Sequence, residues 1–264
     1  FSAGANLFLL ITQIQNGEWD EIDLMIRKFQ KATSSLRQYE KPVVAACHGY
    51  TLGGGTELSL GCDHIVIAAE TYMGLPEVGV GLIPGAQGTK EMLIRCTESI
   101  IRSEEVDYFP GVRHAWETIG MAKVGTSASE ALKLRYLRPS ETTIVLNKDW
   151  LIGEARAQVL HLVAKGYSPR PRRMDIPAIG DSGMTLCKLQ LQQMRKSGLI
   201  SEHDEKIGNK LAYILCGGDL TSLHYVSEDY ILDLEREVFL SLCGEPKTLE
   251  RIKHTLKTGK PLRN

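Results

Sequence analysis

Glu57 and Glu77 are the side chains of this sequence whose type and spacing could do chemistry. Glu57 stands in the first turn after Gly53-Gly54-Gly55-Thr56, and Glu77 follows Pro76 in a separate loop. Two acids held close and partly shielded from water can divide their roles, one ionised as base and one protonated as acid. The glycines let a substrate approach the backbone, because no Cβ intervenes. A helix start adds unpaired N–H groups and the positive end of the dipole, which suit a developing oxyanion. A side chain at Gly54 is therefore expected to crowd the reacting group. Taken alone, Glu57 reads as a dipole partner and Glu77 as a solvated loop residue. It is their combination with the triplet that points to catalysis. Gly79-Val80-Gly81-Leu82-Ile83-Pro84 has a superficial likeness to a dinucleotide fingerprint, but Pro84 stands where the last glycine is required.

The elements that must hold these residues follow from pattern. Residues 18–38 carry apolar side chains at helical spacing, at Ile22, Met25, Ile26 and Phe29. Pro42 to Cys47 reads as a buried strand running into the triplet, and the helix after it ends near Gly61 or Cys62. His64 to Ala69 reads as a second buried strand. Met73 to Pro76 is a loop that delivers Glu77, Gly79 to Gly85 is another, and Gly88 begins a helix. Strands alternating with helices at this spacing predict an α/β fold with parallel pairing. Beyond Thr89 the pattern is mainly helical. Ser127 caps a helix over 127–137 with Glu130 in capping-box position. Residues 168–181, rich in Pro and Arg, read as a linker or exposed loop. Ser201 and Asp204 cap a helix that stops at Gly217-Gly218. Ser227 opens one ending at Gly244, and Pro246 starts the last. Tyr230, Ile231, Leu234, Val238 and Leu242 form an apolar face expected in the core or at a subunit interface.

The stretch KPVVAACHGYTLGGGTELSLGCDHIVIAAETYMGLPEVGVGLIPGAQGT, residues 41–89, resembles the crotonase family, the enoyl-CoA hydratases and isomerases. Phe1-Ser2-Ala3-Gly4-Ala5-Asn6-Leu7 is similar to the family's F-x-A-G-A-D segment, with Asn6 where Asp is usual. Glu235 to Arg263 is similar to its closing E-x-x-x-F…K-x-P element. The resemblance covers residues 1–95, about 117–137 and 227–263, and the arrangement looks like the hydratase module of bacterial bifunctional 3-hydroxyacyl-CoA dehydrogenase/enoyl-CoA hydratase polypeptides. It implies a spiral of ββα turns with a helical C-terminal region, divided here into a partial catalytic core at 1–140 and a helical region at 141–264. It implies an oxyanion hole from the N–H groups of Ala5 and Gly54, catalytic Glu57 and Glu77, and a substrate lined by Asn6, Leu7, Gly53, Gly55, Pro84 and Gly85. The implied reaction is hydration of a trans-2-enoyl-CoA in fatty-acid β-oxidation. It uses no metal or redox cofactor, coenzyme A enters with the substrate, and NAD is called for only by a dehydrogenase elsewhere in the polypeptide. Enoyl-CoA isomerisation, which needs one acid, and a non-catalytic assembly module beside a dehydrogenase are the alternatives. Lys257 and Lys260 match a region that in the family touches the coenzyme A of a neighbouring subunit, and a homo-oligomer or a fused or associated dehydrogenase is the implied partner.

Composition sets the outer bounds. At 43% hydrophobic and 24% charged, with a net charge of −1, the chain is ordinary globular material, and nucleic acid is not its expected partner. No apolar run is long enough to span a membrane. The six cysteines are scattered, so zinc ligation and a disulfide framework are both poor readings, and a reducing cytoplasm is expected. His48 and His64, which flank the triplet, read as packed histidines, and Arg170, Arg172 and Arg173 as loop residues rather than a phosphate site. The sequence starts without Met, inside a motif, and is expected to be a fragment whose apolar start, Phe1 and Leu7 to Ile11, is partly exposed.

Overall fold

The structure is a computed structural model that describes residues 1–103 and 106–264. Its first helix, α1 (Leu7–Asn16), was not anticipated from sequence; Asn6 caps it, the side chain accepting from the N–H groups of Phe8 and Leu9. Helix α2 (Trp19–Ser35) follows the expected spacing, with Asp20 and Glu21 in its first turn and Ile22 and Ile26 buried. The apolar start is split: Leu10 and Ile11 are in the core, while Phe1, Phe8 and Leu9 face outward.

Two small sheets are then built in step. Strand β1 (Val44–Cys47) leads to β2 (Tyr50–Leu52) and α3 (Gly54–Leu60); β3 (His64–Ala68) leads to β4 (Tyr72–Gly74), a 3₁₀ turn at Glu77–Val80 and α4 (Gly88–Thr97). β1 and β3 pair in parallel, as do β2 and β4, so each β-β-helix turn gives one strand to each sheet. This is the expected spiral, seen over two turns. Ser2 joins the second sheet beside Thr51, its N–H donating to Tyr50 O and its carbonyl accepting from Leu52 N. All five residues of β3 are buried, which is why it reads as one apolar run. The expected loop at 73–76 is half strand, since Met73 and Gly74 belong to β4.

Helix α5 (Phe109–Gly120) precedes the short strand β5 (Val124–Gly125), which pairs antiparallel with β4. Ser127 caps α6 (Ala128–Lys133), but Glu130 accepts no return bond from the Ser127 N–H: its carboxylate accepts from the Thr126 N–H and hydroxyl. Strand β6 (Thr142–Val145) lies beyond the boundary expected at 140 and pairs in parallel with β3; α7 (Leu151–Ala164) packs on β1 and β3. Within 168–181 the loop ends at β7 (Ile176–Ala178) and Gly180 opens α8 (Gly180–Lys196). Helix α9 (Glu202–Cys216) carries a complete Ser201/Asp204 capping box and ends at left-handed Gly217. Strand β8 (His224–Val226) pairs with β7, and α10 (Glu228–Cys243) and α11 (Pro246–Thr258) close the chain. The apolar face of α10 lies in the core, with Ile231, Leu234, Val238 and Leu242 buried. One hydrophobic core runs from Leu10 to Ile252.

Candidate active site

Each glycine of the triplet meets a different neighbour. Gly53 sits at φ 54° and ψ −127°, a backbone that side-chain-bearing residues rarely adopt, and donates its N–H to Gly74 O at 2.9 Å. An added Cβ there would stand 3.0 Å from Glu77 Oε1 and 3.4 Å from Gly4 Cα. At Gly55 it would strike the Ser2 side chain at 2.4 Å. At Gly54 it would lie 2.9 Å from the Phe29 ring, so the bulk expected to crowd the substrate points at α2 instead. Gly4 and Gly53 approach closely from the two segments, an added Cβ at Gly4 lying 4.0 Å from Gly53 Cα.

Glu57, in the first turn of α3, is 3% exposed. Its Oε1 accepts two backbone N–H groups at 2.8 Å, from Ala86 and Gly88, and its carbonyl accepts from Gln87 Nε2. Burial pushes its carboxyl up to about 7 against the pull of those two donors. Glu77, at the start of the 3₁₀ turn, holds Oε1 against Gly53. Its Oε2 is buried with no hydrogen-bond partner among the described residues. Burial first, then the charge of Glu57, raises Glu77 well above the usual carboxylate range. The structure thus brings Glu57, Glu77, Gly53 and the Gly4–Ala5 loop together.

A third carboxylate joins them. Glu235, on α10, is fully buried and accepts from Gln87 N at 2.6 Å and Lys90 N at 3.1 Å. Burial and the charge of Glu57 push it up to about 8. It was quoted above only as the first letter of the closing element. A signal was present: Glu235 lies four residues after Ile231 and three before Val238, so it sits on the apolar face of its helix. Pro84 and Gly85 belong to the loop these carboxylates hold; an added Cβ at Gly85 would meet Phe239 at 2.7 Å, and one at Gly88 would meet Pro84 at 2.7 Å. Asn6 spends its side chain on capping α1, and Leu7 is half-buried in that helix.

The Glu77 turn is clamped from α11. Buried Arg251 donates to Val78 O and pairs with Asp204 at 2.8 Å, and the Thr248 hydroxyl donates to Gly81 O at 2.8 Å. The flanking histidines part company: His64 is buried against Thr143, whereas His48 is exposed. Arg170, Arg172 and Arg173 pair with Glu141, Asp229 and Asp175. All six cysteines are buried free thiols. Among the described residues, no cluster of three or more His, Cys, Asp or Glu could hold a metal ion, and no helix is long and apolar enough to cross a membrane.

Known proteins resemble this chain in sequence and in fold. The profile of the family described as enoyl-CoA hydratase/isomerase matches residues 1–100. The chain is 42% identical over 264 residues to a "Probable 3-hydroxyacyl-CoA dehydrogenase" of Bacillus subtilis, covering 100% of this chain and 33% of that protein. Over 62 residues it is 53% identical to the human "Peroxisomal bifunctional enzyme", covering 24% of this chain and 8% of that protein. The chain spans about a third of the length of the curated relatives that match it throughout. The crystal structure of an enoyl-CoA hydratase from Bacillus halodurans shares the fold, with a TM-score of 0.56 at 16% identity over 96% of this chain and 76% of that one. Motif, spiral and profile agree: residues 1–100 match the enoyl-CoA hydratase/isomerase family, and the chain carries the crotonase fold.

Proposed function

We propose that this chain adds water across the C2–C3 double bond of a trans-2-enoyl-CoA, giving a 3-hydroxyacyl-CoA. The observation that carries the proposal is the pair of desolvated glutamates, with Glu57 held by two N–H donors and Glu77 leaving Oε2 buried and unpaired. A water set between them can lose a proton to Glu57 as its oxygen bonds to C3. The C2–C3 π electrons move toward the thioester, whose oxygen sits between the N–H groups of Ala5 and Gly54. Such donors are worth roughly 3–4 kcal/mol each. C2 then takes the proton of Glu77, and the pair resets by passing a proton back from Glu57. The raised pKa values fit this division, because an ionised Glu57 favours a protonated Glu77. Asn6, Leu7, Gly53, Gly55, Pro84 and Gly85 would line the substrate. Coenzyme A enters as part of that substrate, and the chemistry calls on no metal or redox group.

The product is a 3-hydroxyacyl-CoA, the class of compound named in the Bacillus subtilis relative. A dehydrogenase fused to or associated with this chain, with NAD as its own cofactor, would consume it in fatty-acid oxidation. The six buried free thiols suit the reducing cytoplasm. The test is loss of enoyl-thioester absorbance with crotonyl-CoA, using the native polypeptide and its Glu57→Gln and Glu77→Gln variants. Each variant is expected to lose about 10²–10⁴-fold in turnover, the usual worth of one general acid or base, while still binding acyl-CoA. Near-normal hydration by either variant would sink the paired mechanism. Loss in one variant only, with proton exchange between C2 and C4 retained, would assign isomerisation instead.

A further inference from the structure

We propose that Glu235 is a positioning residue for Glu57: from α10 it holds residues 84–90, the loop before α4 and that helix's first turn, in the conformation that offers two N–H groups to the Glu57 carboxylate. The inference rests on the hydratase reading above.

The loop is gripped from both sides by alternate residues. Ala86 and Gly88 donate to Glu57 Oε1, while Gln87 and Lys90 donate to the two oxygens of Glu235. Gln87 lies between, at φ 117°, in the left-handed region where a side chain is strained. Such a backbone persists only where its surroundings over-determine it. Here they do: Gln87 is fully buried, its amide donates to Glu57 O, and its amide oxygen accepts from Lys90 Nζ. One turn along α10, Phe239 fills the space that a side chain at residue 85 would need. Remove Glu235, and the Gln87 and Lys90 N–H groups are buried without acceptors. The strained residue then relaxes, and the N–H groups on either side of it leave Glu57.

The site demands a carboxylate. One group must accept two N–H bonds through two different oxygens, and an amide would turn its NH₂ toward one of those donors. Nor is a third buried acid placed beside Glu57 and Glu77 for its charge, since like charges there oppose ionisation. Geometry is what it supplies. Glu235 touches neither water nor substrate in this scheme; it acts through Glu57.

The experiment uses the native polypeptide with Glu235→Gln, Glu235→Asp and Glu57→Gln beside wild type. Crotonyl-CoA turnover gives kcat, and titration with butyryl-CoA, which cannot be hydrated, gives binding. Misplacing a catalytic group by about 1 Å costs about 10²-fold, so kcat of Glu235→Gln should fall by about that factor. Its butyryl-CoA affinity should stay within about threefold of wild type, the mark of a loss confined to the transition state. Glu235→Asp, which keeps both acceptor oxygens, should recover part of kcat. A merely structural tie would lower the melting temperature and the active fraction, but leave kcat per binding site unchanged in both variants. That result, with wild type active and Glu57→Gln inert, overturns the positioning role and leaves the hydratase reading standing. A wild-type polypeptide that does not hydrate crotonyl-CoA overturns both.

Discussion

Glu57 and Glu91 are equally buried, 3% exposed each, and both meet helix α4, yet their carboxyl groups are driven in opposite directions. Burial would raise either one. At Glu91 the charges of Lys90, Arg37 and Arg95 overcome it and hold the group far below the usual range. Lys90 Nζ lies 3.0 Å from Glu91 and 2.8 Å from Glu228, while Arg37 and Arg138 reach Glu141 and hold it at about 2. At Glu57 the partners are backbone N–H groups and other acids. Among the described residues no Lys or Arg forms an ion pair with Glu57, Glu77 or Glu235. Desolvation is therefore left without a cation at Glu57, Glu77 and Glu235, and is compensated by cations a few ångströms along the same helix at Glu91.

The comparison can be broken most sharply at Lys90. Lys90→Met should destabilise the fold by about 3–5 kcal/mol in urea unfolding, because it removes the cation that pairs with both buried Glu91 and half-buried Glu228. A loss below about 1 kcal/mol would mean that these acids are not held by cations. A second effect lies in pH dependence. The proposed hydration needs Glu57 ionised and Glu77 protonated, so kcat/KM should climb about tenfold per pH unit up to the Glu57 value of about 7. It should fall again at higher pH, where Glu77 loses its proton; both limbs belong to the coupled pair. An acid limb below pH 5 would place Glu57 in the same class as Glu91. The smallest effect is expected where neither burial nor coupling operates. Lys247 and Glu202 lie 3.3 Å apart on the surface, 42% and 74% exposed. Lys247→Ala should change stability by about 0.5 kcal/mol or less in the same urea assay, and a larger loss would show that exposure does not divide the ion pairs as argued.

What was legible in the sequence was local. Ser201, Asp204 and Ser227 announced their helices because a cap needs only its own first turn. Gly53 to Glu57 and Pro76-Glu77 stood out by residue type and spacing, and the structure sets Glu77 against Gly53. The rest depended on distant partners. Strands β4 and β5, three and two residues long, are too short to show a period. Helix α1 was hidden because its Leu7-Phe8-Leu9-Leu10-Ile11 run has no polar face, and its cap, Asn6, was read only as part of a motif. The orientation of Gly54 was missed because Phe29, which its Cβ would meet, comes from an earlier helix. Glu235 was visible as an acid on an apolar face, but its two N–H partners lie 148 and 145 residues away.

Those separations give the clamps on the segments around Glu57 and Glu77 a consequence in time. Arg251 reaches back 173 residues to Val78, and Thr248 reaches back 167 to Gly81. A ribosome therefore finishes Glu57, Glu77 and the strands beneath them long before it makes α10 and α11. Contacts of such high order form late, after the loop entropy between them has been overcome. Until those final helices dock, the segments that hold Glu57 and Glu77 lack these braces. Truncation ahead of α10 removes the braces of both acids together.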